Sequence, residues 1–384
     1  MFRKKESILF INPDYHCTFF YKEKLIKAGW HADIVVLANY PNQYLYIQDE
    51  IFRNVRKYSS EFARRIADMV IFLKLFYKYK YHFYYGRPPL LNFCSRIGKI
   101  FLRRKNWNIF LFLSKLSRSK IIYLPSGCRD EFTKKTFSLF DSGNVCQNCA
   151  FFELCDDDQN LLNLEIMKRY CDLTIGAGFF ESPYLEISAM KWKSLDLNTW
   201  NPNLKVPEEF QLPRTDSIRV LHASPTGLRQ SNEKNIKGSL FIERAIENLR
   251  SEGYKIEYLN LTNIPINQMR YYQVQADIIV DQLIYGQWGS IGIESMALGK
   301  PTVCYLRNEW HRNFLEIFTE YDELPIVQAN QQTIYFVLKN LIDNSDKRLE
   351  IGKKSREFAE QHFSIDTNFE LFIEVLEKLL IRRD

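Results

Sequence analysis

Short apolar runs alternate with segments of helical periodicity along this chain of 384 residues, and the alternation is interrupted once. The interruption, LNTWNPNLKVP at residues 197–207, contains two prolines and three asparagines, a composition typical of a linker. Strands that alternate with helices form a parallel sheet with helices on both faces. The pattern therefore predicts two doubly wound α/β domains.

The predicted strands fall on both sides of this linker. They cover residues 7–11, 32–37, 82–85, 120–124, 172–175, 218–222, 255–261, 276–281 and 302–306. We expect an N-terminal domain over residues 1–200, which includes a cysteine-rich insertion, and a second domain over residues 201–366. A closing helix within residues 367–384 is expected to return to the first domain.

Composition bounds the class of protein. Hydrophobic residues make up 46% and charged residues 26%, as in a globular protein. No apolar run reaches the roughly 18 residues that a membrane span needs. The first apolar run is short and ends at Asn12-Pro13, unlike a signal peptide. We therefore expect a cytoplasmic protein.

The charge of the chain is concentrated in one window. Residues 69–129 hold 13 lysines and arginines, no acidic residue and 14 aromatic residues, so they supply all of the net charge of +6. Basic and aromatic residues together favour the surface of an anionic membrane. An ordinary solvated basic face and a nucleic-acid site are the alternatives; we expect a peripheral protein on the inner face of the membrane and no nucleic-acid partner.

The stretch QWGSIGIESMALGKPTVCYL, residues 287–306, predicts a turn, a short helix and a strand. Gly289-Ser290 allows close approach to the backbone and leaves amides unpaired at a helix start. Those amides and the helix dipole suit a diphosphate. Glu294, one turn further, can accept hydrogen bonds from a sugar diol. The alternative is a plain helix–strand unit with a solvated glutamate.

A second polar stretch, HASPTGLRQSNEKNIKGSL at residues 222–240, follows a predicted strand of the same domain. Lys237 can neutralise a phosphate as a point charge, and Arg229 can offer a two-pronged donor. Gly238 begins the next helix. Without the first stretch, this one would also fit a basic surface loop.

Together these stretches resemble the retaining glycosyltransferases of the GT-B fold, most closely the family-four class. The likeness lies in Lys237-Gly238 at a helix start and in ESMALGKP at residues 294–301, and it covers residues 219–306. The first half of the chain is similar in architecture only. The resemblance implies two Rossmann-like domains that face each other across a cleft.

The resemblance also implies roles for residues. Lys237 and Arg229 would bind the diphosphate of a nucleotide sugar, and Glu294 would bind the ribose hydroxyls. The family often has a further glutamate eight residues earlier, where this chain has Gly286. The implied donor-binding residues are Arg229, Lys237, Gly238, Asp281, Gln287, Trp288, Gly289, Ser290, Ile291 and Glu294.

Catalysis by this class of enzyme would need no metal, because the lysine, the arginine and the helix amides stabilise the leaving diphosphate. Asp130 is the predicted catalytic residue of the first domain, beside Lys237 and Glu294 of the second; its alternative role is a helix cap. His16 and Arg129, with Asp130, are the predicted acceptor-side residues.

The cysteines suggest a separate site. Cys146, Cys149 and Cys155 follow a C-x2-C-x5-C pattern, and Cys128 lies upstream. Thiolates at this spacing can hold a structural zinc ion or, alternatively, an iron–sulfur cluster. Three cysteines in a plain loop is the remaining interpretation.

The predicted function is the transfer of a sugar from a nucleoside diphosphate, UDP or GDP, to a hydroxyl of a glycan acceptor. A lipid-linked acceptor of surface polysaccharide synthesis (capsule, exopolysaccharide or O-antigen) is expected, because the basic aromatic window lies in the first domain. The alternatives are a nucleotide-sugar epimerase of the same fold and a non-catalytic protein that binds glycan or nucleic acid.

Overall fold

The computed structural model describes residues 6–14, 16–37, 51–53, 60–103, 105–176, 182, 184–186, 188, 192–224 and 234–381. Within these ranges, no helix combines the length and the apolar character needed to cross a membrane.

Eleven strands form in the described part of the chain. They are β1 (Ser7–Ile11), β2 (His31–Val36), β3 (Ile51–Arg53), β4 (Tyr81–Tyr85), β5 (Lys120–Leu124), β6 (Leu173–Thr174), β7 (Ile218–Ala223), β8 (Ile256–Leu261), β9 (Ile278–Val280), β10 (Thr302–Cys304) and β11 (Ile326–Gln328).

The α-helices alternate with these strands. They are α1 (Cys17–Lys27), α2 (Glu61–Leu75), α3 (Leu91–Leu102), α4 (Ile109–Leu116), α5 (Cys128–Glu131), α6 (Lys134–Phe137), α7 (Asn144–Gln147), α8 (Asp157–Tyr170), α9 (Ser239–Ser251), α10 (Ile266–Gln273), α11 (Ser290–Ala297), α12 (Asn308–Ile317), α13 (Ile334–Asp343), α14 (Ser345–His362) and α15 (Ile365–Ile381).

The chain divides into two compact units. The first comprises residues 1–137, 156–192 and 368–384, and the second comprises residues 138–155 and 193–367. The cysteine-bearing segment 138–155 is thus grouped with the second unit, although its neighbours in sequence belong to the first.

The first unit is built on a six-stranded sheet in the order β3-β2-β1-β4-β5-β6, and all pairs are parallel. This is the order of a doubly wound dinucleotide-binding sheet, and chain order reverses between β1 and β4. Every residue of β1 is buried, because helices cover both faces of such a sheet.

Much of the aromatic content of the basic window forms the core of this unit. Phe72, Tyr79, Tyr84, Phe110 and Tyr123 are all buried in one cluster with the strands. These aromatic residues of the window therefore belong to an ordinary protein core. The exposed apolar side chains of the window lie mainly on α3 and α4.

The C-terminal helix α15 packs against a different set of buried residues in this unit. The Tyr81 hydroxyl donates to the Leu376 carbonyl oxygen at 2.7 Å. Phe372 is fully buried, with its ring centroid 4.9 Å from that of Tyr21 and 5.5 Å from that of Trp192. The Trp192 indole nitrogen in turn donates to Asp14 Oδ2 at 2.8 Å.

The second unit is built on a five-stranded parallel sheet in the order β11-β10-β9-β7-β8. Its first strand along the chain, β7, lies between the second and the third, which is the flavodoxin-like doubly wound order. Chain order reverses between β7 and β9. The prediction of two doubly wound parallel α/β domains is confirmed.

All nine predicted strands are present. The strands that were not predicted, β3 and β11, have three residues each, too few to show a periodicity. The helices α3, α4 and α12 were also not predicted. In α3 and α4, basic and aromatic residues obscure the helical pattern.

Phe372→Ala is expected to destabilise the first unit by about 3–5 kcal/mol, because the vacated space lies in a core that cannot fully collapse. Leu371→Ala is the matched control, since Leu371 is 45% exposed. Urea unfolding followed by tryptophan fluorescence gives the comparison. Equal effects of the two substitutions would show that α15 is not part of this core.

Candidate functional site

The candidate site lies where chain order reverses in the second sheet. His222 of β7 pairs in register with Val280 of β9. The polar residues that follow the two strands therefore lie next to each other at the same edge of the sheet. Open parallel sheets bind ligands at the carboxyl ends of strands at such a reversal. The predicted residues Lys237, Asp281, Gly289 and Glu294 all belong to this region.

A buried ion pair forms the centre of the site. Lys237 Nζ lies 2.6 Å from Asp281 Oδ1, with 11% of the lysine side chain and none of the aspartate side chain exposed. The resemblance implied that Asp281 is one of the donor-binding residues. Its complete burial makes it instead a counter-ion that orients Lys237.

The second oxygen of Asp281 binds the start of α11. Gly289 is the N-cap residue of this helix, and its backbone N–H donates to Asp281 Oδ2. A Cβ on Gly289 would lie 3.3 Å from both Asp281 Oδ1 and Lys237 Nζ. A Cβ on Gly292 would lie 2.9 Å from Asp281 Oδ2. Both glycines therefore make room for the carboxylate.

The other first-turn amides of α11 belong to Ser290 and Ile291, which begin the helix. Amides in a first helical turn have no acceptor within their own helix, and the helix dipole adds partial positive charge. Beside the Lys237 ammonium group, this end of α11 is suited to an anionic ligand.

Glu294 lies one turn further along α11, with only 3% of the residue exposed. Gln273 Nε2 donates to its Oε2 at 2.9 Å. The pKa of Glu294 is raised to about 8, mainly by burial and to a smaller extent by the charge of Asp281, while the hydrogen bond from Gln273 and the charge of Lys237 oppose the shift. The carboxyl group is therefore poised to change charge near neutral pH.

A hydrogen-bonded chain that was not predicted connects the two strand ends. His222 Nδ1 donates to the Val280 carbonyl oxygen at 2.9 Å, so its Nε2 accepts from the Ser239 hydroxyl at 2.7 Å. Asn235 donates to Ser239 Oγ and accepts from the Lys237 backbone N–H. Burial lowers the pKa of His222 to about 4, which keeps the ring neutral.

The sequence signal for this chain was weak. His222 was visible only as the last residue of a predicted strand, and Ser239 and Asn235 were visible only as polar residues near a helix start. Their connection requires the register of β7 against β9, which no local pattern specifies.

Gly238 and Trp288 have structural roles here. Gly238 has φ +79°, and a Cβ on it would lie 2.9 Å from Leu283 Cβ, so glycine is required before α9. The Trp288 ring stacks on Phe314 at 4.3 Å and is 5% exposed, which places it in the core. Gln287 is buried, and its carbonyl oxygen accepts from Gln282.

Gly286 occupies the position where the glycosyltransferase family named above often has a glutamate. The packing around this position explains why the chain has glycine there. Its φ is +86°, and a Cβ would lie 2.5 Å from Arg307 Nε. Arg307 is itself fully buried, donates to the Tyr285 carbonyl oxygen at 2.7 Å and lies 3.4 Å from Asp141 Oδ2. A longer residue at 286 would require Arg307 to move.

The predicted acceptor-side residues belong to the first unit. Asp130 is buried and accepts from Arg87 Nε at 3.0 Å and from the Ser126 hydroxyl at 2.6 Å. Arg129 is exposed, and its carbonyl oxygen accepts from Arg87 at 2.9 Å. His16 is 2% exposed at the N-cap of α1.

The predictions for Arg229 and for the cysteine metal site have other outcomes. Arg229 lies outside the described residues. The four predicted metal ligands do not fit a metal: within the described ranges, no three His, Cys, Asp or Glu side chains are grouped so that they could hold an ion. Cys128 also falls in the first unit, while Cys146, Cys149 and Cys155 fall in the second. The sequence spacing was therefore misleading.

Comparison with known proteins supports the fold. No family model and no curated protein matches the chain. Among solved structures it is similar to sucrose-phosphate synthase from Thermosynechococcus elongatus (TM-score 0.64, 13% identity, 99% of this chain and 100% of that chain). A glycosyltransferase from Rickettsia africae gives a TM-score of 0.58 at 13% identity, over 99% and 100% of the two chains.

A UDP-GlcNAc 2-epimerase from Neisseria meningitidis, bound to UDP-GlcNAc, gives a TM-score of 0.51 at 11% identity, over 97% of this chain and 99% of that chain. At such identities these likenesses establish the fold and nothing finer. The chain has the GT-B fold, in which two doubly wound α/β domains follow one another.

Breaking the central ion pair is expected to be costly. Lys237→Met leaves the Asp281 carboxylate buried without its cation, so the free energy of unfolding should fall by about 3–5 kcal/mol. Adding Asp281→Asn should recover part of that loss, because no buried charge remains. Urea unfolding of both single variants and the double variant gives the coupling; additive effects would mean that the pair does not form.

Proposed function

We propose that the protein is a glycosyltransferase that uses a nucleoside-diphosphate sugar as donor. The observation that carries the proposal is the cluster of Lys237, Asp281 and the α11 N-terminus, with Glu294 one turn further. A cation and helix amides suit a diphosphate, and a carboxylate behind them suits a ribose diol. Arg229 is proposed as a second phosphate-binding residue.

The reaction follows from this arrangement. The bond between the anomeric carbon and the diphosphate oxygen breaks and releases the nucleoside diphosphate, an acceptor hydroxyl oxygen forms a new bond to that carbon, and the hydroxyl proton passes to a phosphate oxygen of the leaving diphosphate. Lys237 and the amides of Ser290 and Ile291 stabilise the charge that develops on the leaving diphosphate, while the Gly289 amide donates to Asp281. Retention of the anomeric configuration and a hexose donor are proposed from the family likeness.

On the acceptor side, the proposal assigns the loop that follows β5. Asp130 fixes this loop by binding Arg87 and Ser126, so we propose that it orients the acceptor surface. The exposed Arg129 is the proposed contact to an anionic acceptor. His16, which belongs to the same unit, is proposed as a further residue on the acceptor side. The proposed donor nucleotide is UDP or GDP.

The fold neighbours are consistent with this proposal. One is a glycosyltransferase and another is an epimerase bound to UDP-GlcNAc. The epimerase neighbour keeps nucleotide-sugar epimerisation as the second candidate. That reaction would convert the donor sugar without any acceptor, so product analysis separates the two.

The exposed face of α3 leads us to propose that the acceptor is a lipid-linked glycan of surface polysaccharide synthesis. Its inner residues Leu91, Cys94, Ser95 and Gly98 are buried. Its outer face exposes apolar side chains at Phe93 (49%), Ile100 (71%) and Phe101 (77%). Arg96, Lys99 and Arg103 are exposed next to them. Apolar groups flanked by cations suit the interface of an anionic membrane, so we propose peripheral attachment at its cytoplasmic face.

Lys237→Ala and Glu294→Ala are expected to lower sugar transfer by about 10²–10³-fold, because each removes a group that binds or stabilises the donor. Lys255→Ala is the matched control, since Lys255 is 70% exposed in a surface ion pair of the same unit. Radiolabelled UDP- and GDP-sugars with membrane extracts as acceptor give the assay. Transfer at the wild-type rate in both variants would contradict the proposal; an altered sugar formed without acceptor would favour the epimerase.

Replacement of Ile100 and Phe101 by serine is expected to reduce binding to anionic vesicles about 10-fold or more, because both side chains would otherwise insert at the interface. Leu154→Ser is the control, because Leu154 has the same 71% exposure as Ile100 but lies outside α3. Flotation with phosphatidylglycerol vesicles at low salt is the measurement. Binding that is absent in the wild type, or unchanged in the variant, would overturn the assignment.

A further inference from the structure

One buried amide side chain, Gln273, faces the carboxyl group of Glu294 and has no other assigned purpose. It is the last residue of α10 and is completely buried. Its Nε2 donates to Glu294 Oε2 at 2.9 Å. We propose that Gln273 is a positioning residue that orients the Glu294 carboxyl group for the ribose diol and favours its ionised form. This inference rests on the proposed function.

The orientation of the amide is fixed by the carboxylate. Gln273 Oε1 is buried and has no hydrogen-bond partner among the described residues. If the amide were turned over, this oxygen would face a carboxylate oxygen and two acceptors would oppose each other. An unsatisfied buried carbonyl destabilises a protein, so a residue present only for packing would be expected to be apolar.

The electrostatics around Glu294 give the amide a clear effect. Burial raises the pKa of this carboxyl group and Asp281 adds to the shift, whereas Gln273, Lys237 and Lys193 lower the pKa. Loss of the Gln273 donor therefore raises the pKa further. A protonated carboxyl group can accept fewer hydrogen bonds than a carboxylate, so it would bind the two hydroxyls of a diol less well.

Two arginines lie on helices near Glu294. Arg356 of α14, which packs on α11, donates to the Ala297 carbonyl oxygen at 2.6 Å. Arg270, one turn before Gln273 on α10, stacks over Tyr271. Arginines do not titrate near neutral pH. A change of charge at this place near pH 8 is therefore assigned to Glu294.

Gln275, two residues beyond the end of α10, provides a matched control. Its Oε1 accepts from the Leu212 backbone N–H at 2.9 Å, and its Nε2 donates to the Phe210 carbonyl oxygen at 2.9 Å. These bonds hold the segment at residues 210–212 and do not reach Glu294. Gln275→Met should thus lower stability without changing the titration of Glu294.

The test is carbon NMR of protein labelled at the glutamate side-chain carboxyl carbon, with the Glu294 signal identified by its loss in Glu294→Gln. Gln273→Met is expected to move the midpoint of this titration upward by about one pH unit. Gln275→Met is expected to leave it in place. If Gln273→Met does not fold, Gln273→Asn, whose amide is too short to reach, replaces it. An unchanged midpoint in the folded variant overturns the inference.

A ligand measurement separates this inference from the proposed function. UDP and GDP are compared with their 2′,3′-dideoxy forms, and the affinity ratio isolates the diol. The ratio should rise with pH in the wild type, and this rise should move to higher pH in Gln273→Met. Failure of the wild type to bind either nucleotide would contradict the proposed function. A rise that stays at the same pH in the variant would contradict the role of Gln273.

Discussion

The buried ion pair between Lys237 and Asp281 is the interaction on which the second unit's site depends. An isolated carboxylate inside a protein is strongly disfavoured, so Asp281 needs both Lys237 and the Gly289 amide. That requirement explains glycine at positions 289 and 292, where any side chain would meet the carboxylate. It also fixes the start of α11 against the lysine, so the two sources of positive charge lie together.

The neutral histidine at the end of β7 contributes to the same arrangement. His222 joins the Val280 carbonyl oxygen to Ser239, and through Asn235 to the backbone of Lys237. Because burial keeps the ring uncharged, this chain adds no charge that would repel Lys237. The position of the lysine is thus determined by uncharged hydrogen bonds at its backbone and by one counter-ion at its side chain.

The fold could be predicted from the sequence, and several candidate site residues could be brought to one region, because both depend on local signals. Alternating apolar strands specify the doubly wound sheets, and glycines before a short helix with one glutamate indicate an anion site. Trp288 could not be placed correctly, because its stacking on Phe314 depends on α12, a helix that was not predicted. Asp281 was named for the right region, but its burial as a counter-ion follows only from the packing around it.

The cysteine prediction shows the limit of spacing alone. A C-x2-C-x5-C pattern can hold a metal only where the chain folds the thiols toward one point, and no such group of side chains is found among the described residues. His222 and Gln273 show the opposite limit. Each is an isolated polar residue in the sequence, and the role of each depends on hydrogen-bond partners at least 17 residues away.

Isothermal calorimetry with UDP, GDP and ADP tests the central claim, that this site holds a nucleoside diphosphate, most directly. The wild-type protein should bind at least one of the three with a dissociation constant of about a micromolar to a millimolar. The same nucleotide should show no measurable binding to Lys237→Met, provided that variant is folded. Absence of binding for all three to the wild type, or equal binding to the variant, would contradict the account.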